Sequence, residues 1–152
     1  MRKALFLDRD GVINLDKKYV HKIEDFEPIE KNLKLIKEIV SKDDYLIFII
    51  TNQAGIARGY YTEEEYLKFQ KYVEEYLLEN GIKIKKTYYC PHHPEGIIDR
   101  YKITCECRKP KPGMLLQAAK EYEIDLKKSV LIGDKDSDFA AGTSVGCEII
   151  RV

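Results

Sequence analysis

Short apolar bursts alternate along the chain with longer stretches of helical spacing. Residues 3–7 and 45–51 are runs of Leu, Ile and Phe that break abruptly into polar residues and glycine, as strands buried on both faces do. Between them Leu33, Ile36 and Ile39/Val40 recur at helical spacing on a Lys/Glu-rich background, which predicts a helix with one buried face. Thr62 with Glu65 reads as a capping box, and Tyr66, Phe69, Val73 and Leu77 line one side until Gly81 offers a stop, giving the longest helix. Residues 83–89 then read as a strand, 114–122 as a helix, 129–132 as a strand, 137–141 as a short helix and 148–152 as a last strand. This order predicts an α/β fold with a Rossmann-like three-layer arrangement on a parallel central sheet, in a single domain over residues 1–152. Two stretches, 8–29 and 90–112, are too long and too polar for simple connections, and loops of that kind often carry function.

Composition narrows the classes of function. The 152 residues carry 26 Lys+Arg against 26 Asp+Glu, so there is no basic excess of the kind an electrostatic nucleic-acid binder needs. The longest apolar run, Leu46 to Ile50, is far short of the roughly 20 residues that cross a bilayer, and no apolar signal segment opens the chain. A cytoplasmic protein with no nucleic-acid or membrane partner is expected.

In an open parallel sheet, ligands bind beyond the carboxyl ends of the strands. The first strand is followed by Asp8-Arg9-Asp10-Gly11, the second ends in Thr51-Asn52-Gln53, and the fourth is followed by Gly133-Asp134-Lys135-Asp136-Ser137-Asp138. Asp8 and Asp10, two apart, point the same way in an extended segment, and Gly11 permits a sharp turn. Carboxylates packed this closely repel unless a cation sits among them, and hard oxygen ligands suit Mg²⁺. Taken alone, Asp-x-Asp-Gly is also a common surface turn. The coincidence of several such elements, each after its own strand, is what points to a site.

Phe6-Leu7-Asp8-Arg9-Asp10-Gly11-Val12, Ile50-Thr51-Asn52-Gln53, Arg108-Lys109-Pro110 and Ile132-Gly133-Asp134-Lys135-Asp136-Ser137-Asp138 resemble the four motifs of the haloacid dehalogenase (HAD) superfamily of phosphotransferases. More narrowly, Thr51 to Gly59, Cys90-Pro91-His92-His93-Pro94 and Cys107 to Met114 resemble the D,D-heptose 1,7-bisphosphate phosphatases and the related histidinol-phosphate phosphatases. The resemblance implies Asp8 as nucleophile, Asp10 as general acid and base, and Mg²⁺ held by the Asp8 carboxylate, the Asp10 carbonyl and Asp134. It implies Thr51 and Lys109 as phosphate ligands, with Asp138 acting behind them. By itself, Lys109 could equally be a solvated charge in a basic run.

Four cysteines without a secretion signal point to metal rather than disulfides. Cys90-x-His92 and Cys105-x-Cys107 are two tight pairs whose Cys₃His composition suits a closed tetrahedral, structural Zn²⁺ site. His93 competes with His92 on spacing, and the family pattern selects His92. Cys147 reads as a small buried residue. Fixing a metal at Cys107 would fix the adjacent Arg108 and Lys109.

The substrate implied by the resemblance is a small sugar bisphosphate of lipopolysaccharide precursor synthesis, normally losing its 7-phosphate. Asp16, Tyr19, Asn52, Arg108 and Lys135 are assigned to its recognition, although Asp16 and Tyr19 would serve as well in a solvated turn. Histidinol phosphate is the rival substrate, and the segment Ala57-Arg58-Gly59-Tyr60 counts against it. With no large cap domain, specificity is expected to lie in loops around an open site. A monomer is expected, although relatives continue past the position of Val152 and an exposed edge there would invite pairing. A non-catalytic zinc-stabilised binding module and a nucleic-acid zinc module are the readings from other classes.

Overall fold

The structure, a computed structural model, describes residues 1–152. Five strands, β1 (Lys3–Leu7), β2 (Tyr45–Asn52), β3 (Ile84–Cys90), β4 (Val130–Gly133) and β5 (Glu148–Arg151), form one sheet in the order β3-β2-β1-β4-β5, every pair parallel. Helices α1 (Glu30–Lys42), α2 (Glu63–Glu79), α3 (Gly113–Tyr122) and α4 (Asp136–Ser144) make the crossovers. No helix is long and apolar enough to cross a membrane.

The period-2 alternation of the strands divides the core between the two sheet faces. Leu5, Leu7, Ile47, Ile49, Val130 and Ile132 pack with Leu33 and Ile36 of α1 and with Phe69, Val73 and Leu77 of α2. Ala4, Phe6, Phe48, Ile50 and Leu131 turn the other way, onto Met114, Leu115 and Ala118 of α3 and Ala141 of α4. Each large aliphatic or aromatic side chain sealed in this way contributes about 1.5–3 kcal/mol, so both faces are required and the central strands are apolar throughout. The expected capping box opens α2: Thr62 Oγ1 accepts from the Glu65 amide at 3.1 Å, and the Glu65 carboxylate accepts from the Thr62 amide at 3.0 Å.

Element boundaries differ from the sequence expectation by one or two residues except at α4, which runs to Ser144 rather than stopping at 141. Gly142, a weak helix former, conceals the extra turn. It is there because the helix lies close on the sheet: a Cβ at Gly142 would stand 2.6 Å from Ile149 Cδ1. The two long stretches are loops interrupted only by 3₁₀ turns at Ile23–Asp25 and Asp99–Tyr101.

The chain builds outward from β1 to β3 and then returns to the opposite side of β1 as β4. That reversal opens a crevice beyond the carboxyl ends of β1 and β4, where Asp8 and Asp134 emerge side by side.

Candidate active site

Asp8 leaves β1 almost fully buried, and the centre of the site is an ammonium inserted between it and α4. Lys109 Nζ donates to Asp8 Oδ1 at 2.9 Å, to Asp138 Oδ1 at 2.6 Å and to the Ile50 carbonyl at 3.0 Å. Burial opposes the charge on Lys109, but the attraction of Asp8 and Asp138 more than offsets it and holds the ammonium above its ordinary pKa. Burial pushes the Asp8 carboxyl up to about 7, against the pull of Lys109 and with added repulsion from Asp138 and Asp10.

Asp138 has no oxygen to spare. Its Oδ2 accepts from the backbone amides of Asp134 and Lys135, each at 3.2 Å, so it closes the start of α4 while its other oxygen holds Lys109. Asp8, Asp134 and Asp138 all have carboxylate oxygens within 4.8 Å of one another, yet only Asp8 and Asp134 are free to face a ligand. Asp134 Oδ1 is buried without a hydrogen-bond partner. Partial burial raises the Asp134 carboxyl, with Lys135 pulling against that and Asp138 adding repulsion.

One cationic atom already occupies the middle of this set. Lys135 Nζ lies 3.9 Å from Asp8 Oδ2, 3.3 Å from the Asp10 carbonyl and 3.6 Å from Asp134 Oδ1, and it also pairs with Asp16 at 3.3 Å. Those first three oxygens are the ones expected to hold a divalent cation.

Asp10 lines the same cavity with its carboxylate fixed from behind. Arg9, which has no exposed surface, donates to it through Nε at 3.2 Å and Nη2 at 3.0 Å, and Asn14 Nδ2 adds a bond at 3.0 Å. Arg9 is held in turn by the Val20 carbonyl at 2.6 Å, Gln70 at 3.3 Å and the Phe69 ring 5.0 Å away. Sequence reasoning gave Arg9 no task. Alternation about β1 turns it away from the two aspartates, and that was the available signal.

The cavity, of about 770 Å³, is lined by Asp8, Asp10, Asp16, Tyr19, Asn52, Arg108, Lys109 and Lys135 among the expected residues. Asn52, expected at the substrate, uses its amide on Lys109: its Oδ1 accepts from the Lys109 amide at 3.0 Å and its Nδ2 donates to the Lys109 carbonyl at 3.2 Å. Thr51 lies under the floor, buried, its hydroxyl accepting from Gln53 Nε2 at 2.9 Å. Gln53 and Tyr61, joined at 2.5 Å, line the wall and were not expected there. The loop over the cavity holds Lys18 and Tyr19 at φ of 63° and 59°, a strained conformation for side-chain-bearing residues. It rests on Tyr19 against Tyr60 and His21 against Tyr61, with ring centroids 4.7 and 4.5 Å apart.

Beside the cavity, Cys90, His92, Cys105 and Cys107 converge with all four donor atoms within 4.8 Å of one another. The sulfur separations are 2.8 to 3.4 Å, and His92 Nδ1 is 3.3 Å from Cys107 Sγ. No disulfide is formed. Hydrogen bonding between Cys90 and Cys107 splits their pKa values, drawing Cys107 down to about 5 and pushing Cys90 up. His93 turns the other way, toward Arg58 and Arg108, and its partial burial followed by those two cations holds it below the ordinary histidine value.

A parallel sheet with a nucleophile-grade carboxylate, a second acid two residues on and a buried lysine at its switch point defines a phosphotransferase core of the HAD type. A HAD-hydrolase-like family model matches residues 106–152. A D-glycero-alpha-D-manno-heptose-1,7-bisphosphate 7-phosphatase of Photorhabdus laumondii is 51% identical over 144 residues, 95% of this chain and 78% of that protein. A D-glycero-beta-D-manno-heptose-1,7-bisphosphate 7-phosphatase of Pasteurella multocida is 46% identical over 142 residues, 93% of this chain and 76% of that protein. The D,D-heptose 1,7-bisphosphate phosphatase of B. bronchiseptica, solved with magnesium and phosphate, superposes with a TM-score of 0.83 at 30% identity, covering 97% of this chain and 78% of that one. The chain belongs to the HAD hydrolases, in the family of the heptose bisphosphate phosphatases.

Gly11 tests the packing of this site. It sits at φ +92°, and a Cβ there would lie 2.0 Å from Asp134 Oδ2. Gly11→Ala is expected to displace Asp134 and to cost about 1–3 kcal/mol of stability, read from the urea midpoint.

Proposed function

We propose that the chain is a Mg²⁺-dependent phosphatase that removes the 7-phosphate of D-glycero-D-manno-heptose 1,7-bisphosphate. The observation that carries this reading is the convergence of Asp8 Oδ2, the Asp10 carbonyl and Asp134 Oδ1 on a single cationic atom, Lys135 Nζ. Oxygen donors in that arrangement, one of them buried and unpartnered, fit a hard divalent cation. Both anomers are represented among the related enzymes, so the proposal stops at the 1,7-bisphosphate.

Asp8 attacks phosphorus in line; a bond forms from its carboxylate oxygen to phosphorus as the bond from phosphorus to the sugar oxygen breaks. Lys109 keeps the attacking carboxylate oriented and meets the charge on the transferring oxygens, with Asn52 bracing its backbone. Asp10 gives its proton to the departing sugar oxygen and, as the carboxylate, takes one from the water that hydrolyses the aspartyl phosphate. Asp8, the Asp10 carbonyl and Asp134 would hold Mg²⁺, which would supply charge neutralisation for the phosphoryl oxygens. With a cation held there, Lys135 would be free to meet the substrate.

The Cys₃His cluster fits a closed Zn²⁺ site, since Zn–S bonds of about 2.3 Å bring tetrahedral ligands to within roughly 4 Å of each other. Its role is to set Arg108 and Lys109, which directly follow Cys107, against the sheet.

Asp8→Asn should lower kcat for phosphate release by more than about 10³-fold while leaving the zinc content and the fold intact. Retained turnover would remove Asp8 from its role.

Mg²⁺ and the proton compete for Asp8. With its carboxyl raised to about 7, the group is ionised above that pH and protonated below it. Apparent Mg²⁺ affinity is therefore expected to fall as pH drops through 7, by up to about tenfold per unit, with proton release on binding. Calorimetry in two buffers of different ionisation enthalpy reads both.

Elemental analysis should find one zinc per chain. Its removal by a strong chelator should lower Tm and cut phosphate release at least tenfold, because the loop carrying Lys109 is released.

A further inference from the structure

Helix α2 turns an amide side chain into its apolar face. Its buried residues are Tyr66, Phe69, Gln70, Val73 and Leu77, and Gln70 is only 3% exposed. An amide in that position costs stability unless both of its ends are hydrogen-bonded, and an aliphatic side chain would fill the space without that requirement. The two bonds of Gln70 lead in opposite directions. Its Oε1 accepts from Arg9 Nη1 at 3.3 Å, and its Nε2 donates to Thr87 Oγ1 of β3 at 3.2 Å. The Thr87 hydroxyl in turn donates at 3.0 Å to Oε2 of Glu74, one turn further along α2. None of these three residues lines the cavity that holds Asp8 and Asp10.

The direction of the chain is imposed from the Arg9 end. A guanidinium only donates, so Gln70 presents its carbonyl oxygen to Arg9 and its amino group to β3. Thr87 Oγ1 must then accept, which sends its own proton to Glu74. At the other end, Arg9 Nε and Nη2 hold the Asp10 carboxylate at 3.2 and 3.0 Å, and Nη2 also meets the Val20 carbonyl at 2.6 Å. Nη1 is the remaining corner of the same rigid plane, so the bond to Gln70 fixes how that plane is turned. Tyr66 and Phe69, from the same helix, lie with ring centroids 6.0 and 5.0 Å from the guanidinium carbon.

We propose that Gln70 and Thr87, anchored on Glu74, are positioning residues for the general acid: they set the plane of Arg9 and, through it, the direction in which Asp10 faces the departing sugar oxygen. This rests on the phosphatase reading above. Proton transfer in the transition state depends on the length and direction of one hydrogen bond, and a small misplacement of the acid is costly in rate. A bond that merely fastened α2 to β3 would affect stability and leave the response to the leaving group unchanged.

The test compares two substrates that differ in their need for that proton. Heptose 1,7-bisphosphate loses a strongly basic sugar oxygen, whereas p-nitrophenyl phosphate loses a phenolate that is stable without a proton, and kcat/KM reports the bond-breaking step for both. In Gln70→Leu and in Thr87→Val, kcat/KM for the bisphosphate should fall about 10–100-fold, with a loss of less than about threefold for p-nitrophenyl phosphate. Thr87→Ser, which restores the hydroxyl, should recover most of the bisphosphate activity. Equal losses on both substrates, or no loss on either, would overturn the proposal. Absence of phosphate release from the bisphosphate in the wild type would instead overturn the phosphatase reading, and the chain is then read at Arg9 itself. By NMR the Arg9 Nη protons should exchange with solvent at least tenfold faster in Thr87→Val than in the wild type, and equal exchange would refute the proposal. The same measurement decides should Gln70→Leu fail to fold.

Discussion

The ion cluster of Lys109 with Asp8 and Asp138 is the constraint on which the rest of the site depends. Three segments far apart in sequence end on one ammonium that is almost inaccessible to water: the end of β1, the loop before α3 and the first turn of α4. Two carboxylates and one lysine leave this centre one charge negative. Burying charge is expensive unless every lone pair and proton finds a partner, and here Lys109 meets three acceptors while Asp138 gives both its oxygens. Burial, with repulsion from Asp138 and Asp10 added to it, makes the Asp8 carboxyl resist ionisation, and a further cation beside it would offset both.

Lys109 can serve as that keystone only if its backbone is held from outside. Asn52, at the end of β2, supports it from the sheet side with two bonds, and the cysteine cluster holds Cys107, two residues before it, from the other. Convergence of these four side chains thus substitutes for the secondary structure that the 90–112 stretch lacks. A loop containing only one 3₁₀ turn would otherwise sample many conformations, and the entropy of fixing Lys109 would fall on the ion cluster alone.

The parallel sheet, the order of elements along the chain and the acidic strand ends were readable because they rest on local pattern: apolar runs of strand length, a capping box, and Asp and Gly where strands stop. Residues whose work is done through tertiary partners were not. Arg9 has the look of a motif spacer, yet it is a buried cation anchoring Asp10, and its partners Val20 and Gln70 lie 11 and 61 positions away. Asn52 was legible as a polar residue at a strand end, but its bonds to Lys109 span 57 positions. Gln53 stood in the strand-end motif without a role, and Tyr61 gave no signal, since an aromatic beside a helix cap ordinarily means packing. The approach of Arg58 to His93 likewise depends on two loops meeting, which no spacing rule encodes.

An open site built without a cap has to solve a problem that a closing domain would otherwise solve. Loops organised before binding can discriminate substrates ahead of chemistry. The strained Lys18–Tyr19 turn, propped on Tyr60 and Tyr61, and the two loops joined at Ala57 are organised in advance by packing and backbone bonds. Organisation in advance lowers the entropy lost on binding, so the interaction with a remote part of the substrate can be directed to orienting the reacting end.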